Sequence, residues 1–159
     1  MSDCFPAEIH IGGPIPRKIL PQLIRKIVET GASLGEYDGP AASQEETTRA
    51  LREGQILHLY DCQATNGRFD DLENFLIKHH LHHDIHRDAY QEYDAELFYY
   101  RNQASAVFFS SQSGHALLPV SCIREILDDA KLDNAAKVRQ LHDLAYHKGV
   151  EPLSPVRFC

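Results

Sequence analysis

The pattern that most constrains the fold is an amphipathic helix that directly follows an alternating strand. Residues 7–11 alternate between apolar and polar side chains, as a strand does when one of its faces is buried. A Gly12-Gly13-Pro14 turn ends this segment, and apolar side chains then recur at helical spacing over residues 18–30. Because such a helix must bury its apolar stripe, the first thirty residues predict a sheet with a helix packed on it.

The rest of the chain continues the mixture of strand and helix patterns. Strands are predicted at 55–62, 85–92, 96–101 and 104–110, and helices at 43–54, 70–80, 121–130 and 134–148. This order predicts an α+β two-layer sandwich, with a mixed or antiparallel sheet covered by helices in a ferredoxin-like split β-α-β variant. We expect one sandwich domain over residues 1–120, and a C-terminal helical extension and tail over 121–159 packed on the same domain.

A run of histidines over residues 79–86 is the first candidate for chemistry. Five of the ten histidines of the chain lie there, and imidazoles bind transition metals and titrate near neutral pH. Leu72, Phe75 and Leu76 form one apolar stripe, whereas Leu81 and Ile85 fall on the opposite side of the same helical wheel. The helix is therefore predicted to end near residue 80, and the histidines to form a loop before the next strand.

Two interpretations of this loop stay open. As a site for a divalent transition metal, it offers His79, His83 and His86 as ligands, with Asp84 or Asp88 as a carboxylate partner. No HExxH motif and no paired cysteines accompany them, so the alternative is a polar helix end whose imidazoles cap orphan carbonyl groups. No cofactor is expected under that second interpretation.

A second candidate is the glycine turn between the first strand and the first helix. Backbone amides at a helix N-terminus can hold an anion, and here Gly12 and Gly13 are followed by the cations Arg17 and Lys18. The segment matches neither the P-loop nor the dinucleotide-binding pattern. A site for an anion or small phosphate ligand is one interpretation of this segment, and an ordinary strand-to-helix turn is the other.

A serine-rich segment, residues 110–115, is a third candidate, as a nucleophile site. It places Ser110, Ser111 and Ser113 near His115, but the G-x-S-x-G pattern of many hydrolases is absent. Because a triad needs partners that meet in space, serines near a histidine in sequence indicate little.

Tyrosines concentrate on the predicted meander of strands. Tyr90, Tyr93, Tyr99 and Tyr100 combine an apolar ring with a polar tip, a combination enriched at protein interfaces. We therefore expect a small non-catalytic protein that binds a protein partner or a second copy of itself through this meander and the C-terminal helices. The alternative is a metal-binding protein, possibly a metal-dependent hydrolase, that uses the histidine run.

Charge and cysteine content exclude other classes. Sixteen basic and 23 acidic side chains give a net charge of −7, which opposes the attraction to phosphate on which nucleic-acid binders rely. No apolar run is long enough to span a membrane, and no signal-peptide pattern is present. Four widely separated cysteines without a C-x-x-C pair are typical of free thiols in a reducing compartment, so a cytoplasmic location is expected.

Overall fold

The computed structural model describes residues 4–89, 94–111, 116–145 and 150–159. Its strands are β1 (Cys4–Gly12), β2 (Pro14–Ile15), β3 (Ser33–Leu34), β4 (Leu57–Thr65), β5 (His82–Arg87), β6 (Glu96–Arg101), β7 (Ala104–Ser110), β8 (Ala116–Leu117) and β9 (Arg157–Phe158). Its helices are α1 (Leu20–Thr30), α2 (Gln44–Glu53), α3 (Asp70–Lys78), α4 (Val120–Asp128) and α5 (Asn134–Ala145), and a 3₁₀ turn over Arg17–Ile19 precedes α1. The predicted α+β class is confirmed.

The main sheet is antiparallel, with strand order β3-β4-β1-β5-β6-β7-β8. β1 pairs antiparallel with both β4 and β5, so these two strands run in the same direction on either side of it. In sequence, α3 connects β4 to β5. The first strand of the chain is thus inserted between two strands that a single helix joins.

Alternation along the strands gives the sheet two different faces. Directly paired Leu59, Ile9 and Ile85 from β4, β1 and β5 form one fully buried row. α1 and α3 pack side by side and join this row through an apolar cluster that includes Leu23, Ile27, Leu72 and Leu76. The predicted apolar stripe of the first helix therefore covers one face of the sheet, which we call the apolar face.

Local signals determine where the helices begin and end. The Ser43 hydroxyl accepts the amide hydrogen of Glu46, whose carboxylate accepts that of Ser43, so the predicted capping box starts α2. Gly31, at φ 74°, ends α1 in the left-handed conformation that glycine tolerates. The break in apolar phase predicted near residue 80 is present, because α3 ends at Lys78 and His80 adopts φ 55°.

The strand after α3 begins earlier than the sequence predicts. The apolar pattern predicts a start at residue 85, whereas β5 begins at His82, and three of the histidines in the run are strand residues. Hydrogen bonding to both β1 and β6 overrides the low apolar content of residues 82–84. Of the predicted strand 85–92, residues 90–92 lie outside the described part.

The C-terminal region has two parts with different surroundings. Residues 150–159 are tied to the sandwich, since β9 pairs with β2 and Val156 is buried. The helices α4 and α5 contact each other, but no residue of α4 is buried. Among the described residues, no helix is long and apolar enough to cross a membrane.

His83 is a buried polar residue on the apolar face. Its ring is fully inaccessible and stacks on Tyr100, with ring centroids 5.2 Å apart. Its Nδ1 lies 2.8 Å from the Leu81 carbonyl oxygen, so a neutral ring with its proton on Nδ1 donates there. Burial lowers the pKa of His83 to about 4, because the charged imidazolium cannot be solvated.

We predict that His83 makes the fold sensitive to acid. Between the ordinary pKa of 6.5 and the folded value of about 4, the unfolded chain binds the proton more readily than the folded one. The free energy of unfolding should therefore fall as the pH drops through this window, by about 1 kcal/mol per pH unit from this residue. Urea unfolding of His83→Phe at several pH values should show a flatter dependence than the wild type.

The control for this prediction is Tyr100→Phe, which alters the ring that stacks on His83 but keeps His83 as the titrating group. It should lower the free energy of unfolding similarly at every pH. If the free energy of unfolding depended on pH with the same slope in the wild type and in His83→Phe, His83 would not be the source of the acid sensitivity.

Candidate functional site

The structure does not bring the predicted metal ligands together. His79 follows α3 and packs on Phe75, with ring centroids 4.4 Å apart. His83 is buried on the apolar face, whereas His86, three residues later on the same strand, lies on the opposite face with Asp88 nearby. Successive strand residues alternate between faces, so residues 83 and 86 cannot share one ion.

Within residues 4–89, 94–111, 116–145 and 150–159, no group of three or more His, Cys, Asp or Glu side chains has the geometry to hold a metal ion. Asp84, the alternative carboxylate ligand predicted with Asp88, forms an ion pair with the buried Arg101. Burial raises the pKa of Asp84, and the guanidinium opposes that rise.

The predicted anion turn lies against the C-terminal tail. The Gly13 amide donates to the Ser154 carbonyl oxygen at 2.7 Å, and the Arg17 amide donates to that of Cys159 at 3.0 Å. The Arg17 guanidinium lies over the Phe158 ring, and Lys18 is exposed. Two of the amides in this turn are therefore already satisfied, and a β-carbon at Gly12 would clash with the tail at Ser154.

The four predicted interface tyrosines divide into different environments. Tyr100 is buried on the apolar face, and Tyr99 is partly buried on the other face. Tyr90 and Tyr93 lie outside the described residues. An interface made by all four rings stays a prediction.

An uncovered apolar surface lies beside them, on β7 and β8. The buried row across the sheet continues from Ile85 through Phe98 to Val107, which is 55% exposed. Phe109, two residues further along β7, pairs with Leu117, and these side chains are 48% and 49% exposed. We call Val107, Phe109 and Leu117 the apolar strip; it is an exposed part of the apolar face.

A second uncovered apolar surface is on the C-terminal helices. Val120 and Leu127 of α4 and Val138 of α5 are 62%, 48% and 66% exposed. Since most helical stability in proteins comes from packing an apolar side, a helix with no buried residue lacks its usual support. These three residues are a candidate contact surface.

The opposite face of the sheet, which we call the polar face, carries paired titratable groups. Glu8 on β1 lies between Tyr60 on β4 and His86 on β5. His10, two residues along β1, lies between His58 and Asp84. Side chains directly opposite each other on antiparallel strands have β-carbons about 5 Å apart, so the register creates this cluster.

Glu8 is the centre of the cluster. One carboxylate oxygen, Oε1, lies 3.4 Å from Nδ1 of His86, and Oε2 lies 3.8 Å from Nε2 of His10. The His10 and His58 rings have centroids 4.1 Å apart. Nε2 of His10 is buried without a hydrogen-bond partner.

These contacts shift the pKa values in opposite directions. The adjoining His10 and His86 imidazoles hold the pKa of Glu8 well below its ordinary range, so this carboxyl is ionised. The Glu8 carboxylate raises the pKa of His86, against the effect of burial. Burial lowers the pKa of His58. The polar face therefore holds one imidazole, His86, whose charged form a carboxylate favours, and another, His58, that favours the neutral form.

The other ring nitrogen of His86 faces a hydroxyl group. Ser110, a buried residue at the end of β7, has its Oγ 3.3 Å from Nε2 of His86. Asp88 Oδ1 lies 3.9 Å from the same nitrogen. A cavity of about 100 Å³ adjoins His86 and is lined by Pro6, Ala7, Glu8, Tyr37, Tyr60, His86 and Asp88.

Sequence reasoning missed most of this cluster. The alternation of residues 7–11 already placed Glu8 and His10 on one face, and the strand at 55–62 placed His58 with Tyr60. The sequence does not reveal the strand order, because no short-range pattern shows that β1 lies between β4 and β5.

We predict that Glu8→Gln lowers the pKa of His86. The neutral amide cannot favour the imidazolium as the carboxylate does, so the burial effect that Glu8 opposes should dominate. The titration of the His86 C2 proton, followed by NMR, should shift to lower pH. Glu53→Gln, which alters an exposed carboxylate on α2, serves as the control and should leave the curve in place; an unshifted curve for Glu8→Gln would exclude the pairing.

Comparisons with protein-family models, with curated proteins and with solved structures find no match to this chain. The function must therefore be argued from the geometry of these residues alone.

Proposed function

We propose that this protein is an interaction module that self-associates through the apolar strip on β7 and β8. The observation that carries the proposal is the continuous apolar row across the sheet, which helices bury at Ile9 and Ile85 and leave open at Val107. Exposed neighbouring apolar side chains on an ordered sheet mark a contact surface.

A second copy is the partner that fits best. Each chain carries two uncovered apolar surfaces, the strip and the exposed side chains of α4 and α5. In a twofold dimer, α4 and α5 of one chain would cover the apolar strip of the other. By symmetry, α4 and α5 of the second chain would cover the apolar strip of the first. A different protein with an apolar helix is the alternative partner.

The fold and the location form part of the same proposal. We infer that β4, α3 and β5, with β1 inserted between the two strands, are a split β-α-β unit of ferredoxin-like type. The opposite sense of β1 relative to both neighbours supports this inference. Free thiols at Cys4, Cys62, Cys122 and Cys159 fit a reducing compartment, and we place the protein in the cytoplasm.

We predict that Phe109→Glu disrupts the dimer. A carboxylate at the centre of the strip would have to be desolvated, and the ring that it replaces would no longer be buried, at a loss of about 1.5–3 kcal/mol. The dissociation constant should rise at least about tenfold. Sedimentation velocity over a concentration series measures it.

The matched control is Val28→Glu, which places a carboxylate at a similarly exposed apolar position on α1. It should leave the dissociation constant unchanged. A wild-type chain that sediments as a monomer at every concentration would overturn self-association, and equal effects of the two variants would show that the strip is not the contact.

A further inference from the structure

We propose that Ser110, His86 and Glu8 form a nucleophilic site on the polar face that hydrolyses esters of small acyl groups. The proposal goes beyond self-association and does not rest on it, because it concerns the opposite face of the sheet. It also differs from the predicted metal site, since the histidine run contributes only His86.

One imidazole, that of His86, contacts both a carboxylate and a hydroxyl group. Nδ1 of His86 faces the Glu8 carboxylate at 3.4 Å, and Nε2 faces the Ser110 hydroxyl at 3.3 Å. With the proton on Nδ1 directed to Glu8, Nε2 is a bare acceptor for the serine proton. This is the arrangement in which a base activates a hydroxyl and a carboxylate fixes the tautomer of the base.

Three separate strands supply these groups. Glu8 and His86 are directly paired across β1 and β5, which sets their separation through the sheet register. Ser110 ends β7, and its amide donates to the Ala95 carbonyl oxygen at 2.8 Å, which holds its backbone next to β6. Side chains placed by paired strands are held more precisely than side chains on free loops.

A cavity lies beside His86. Its volume of about 100 Å³ corresponds to about three water molecules, at roughly 30 Å³ each. Tyr37 and Tyr60 form an aromatic part of its wall, and Asp88, which approaches Nε2 of His86, forms another part. Ser110 does not line this cavity, which adjoins the site through His86 and through Asp88, whose Oδ1 lies 3.9 Å from the nitrogen that faces Ser110. A space of this size next to the imidazole suits an acyl group of few atoms, with the alcohol part of the ester outside.

The reaction would proceed in two steps. The Ser110 oxygen attacks the ester carbonyl carbon while its proton passes to Nε2 of His86, and that proton then leaves with the alcohol as the acyl–oxygen bond breaks. Water attacks the acyl-serine in the same way, giving up a proton to His86. The carboxylic acid is released, and the proton returns to Ser110.

Covalent labelling tests the nucleophile directly. Diisopropyl fluorophosphate transfers its phosphoryl group to an activated serine oxygen and releases fluoride, so intact-mass and peptide mass spectrometry should find one adduct on Ser110. Ser110→Ala should lose the adduct, whereas Ser111→Ala, the matched control on the next residue, should keep it. His86→Ala should slow labelling at least about 100-fold, which is the usual contribution of a general base.

The positioning role of Glu8 has its own readout. In Glu8→Gln, labelling should be slower, and the midpoint of its rate against pH should move to lower pH along with the titration of His86. A purely structural role would lower the rate without moving the midpoint. Circular dichroism of each variant checks that the fold is retained.

Turnover of p-nitrophenyl acetate by the wild type, lost in Ser110→Ala and kept in Ser111→Ala, would support a small-acyl ester as the substrate class. No adduct on the folded wild type, an adduct that persists in Ser110→Ala, or an unmoved midpoint in Glu8→Gln would each overturn the proposal. All of these readouts are independent of the oligomeric state, so failure here is distinguishable from failure of self-association.

Discussion

The antiparallel pairing of β1 with both β4 and β5 is the constraint on which the rest of the structure depends. Because β1 is hydrogen-bonded along both edges, its alternation is imposed on its two neighbours. Ile9 therefore meets Leu59 and Ile85 on one face, and Glu8 meets Tyr60 and His86 on the other. A shift of one residue in either pairing would exchange the two faces of that strand and would disperse both the core and the cluster.

The helices cover only part of the apolar face. α1 and α3 bury the row across β4, β1 and β5, and this coverage ends near β6, so the same row is exposed at Val107. The hydrophobic effect that stabilises one end of the sheet thus leaves the other end with apolar area in water. The uncovered side chains of α4 and α5 add to that area, and the proposed dimer would bury both.

The two faces treat imidazoles differently. On the apolar face, burial keeps His83 neutral and leaves Nε2 without a partner. On the polar face, a carboxylate favours the charged form of His86. His83 stabilises the fold only while it is neutral, whereas His86 can accept a proton. Two positions in one histidine run therefore have unrelated roles.

Much of the local structure could be predicted from the sequence, because short-range effects decide it. The Ser43–Glu46 capping box, the end of α1 at Gly31 and the apolar phase break near His80 all depend on residues within one or two turns. The α+β class follows from two periodicities in the sequence, the two-residue alternation of strands and the repeat of about 3.6 residues in helices. The start of β5 at His82 was missed, because pairing with β1 and β6 determines it rather than local propensity.

The candidate sites were decided by tertiary structure. The sequence by itself determined that Glu8 and His10 share a face, and that His58 and Tyr60 do, because side chains alternate along a strand. Only the strand order placed Glu8 against His86 and brought Ser110, from β7, to the same imidazole. Glu8 and His86 are 78 positions apart in the chain, and His86 and Ser110 are 24 positions apart. Local periodicity cannot predict contacts over such separations.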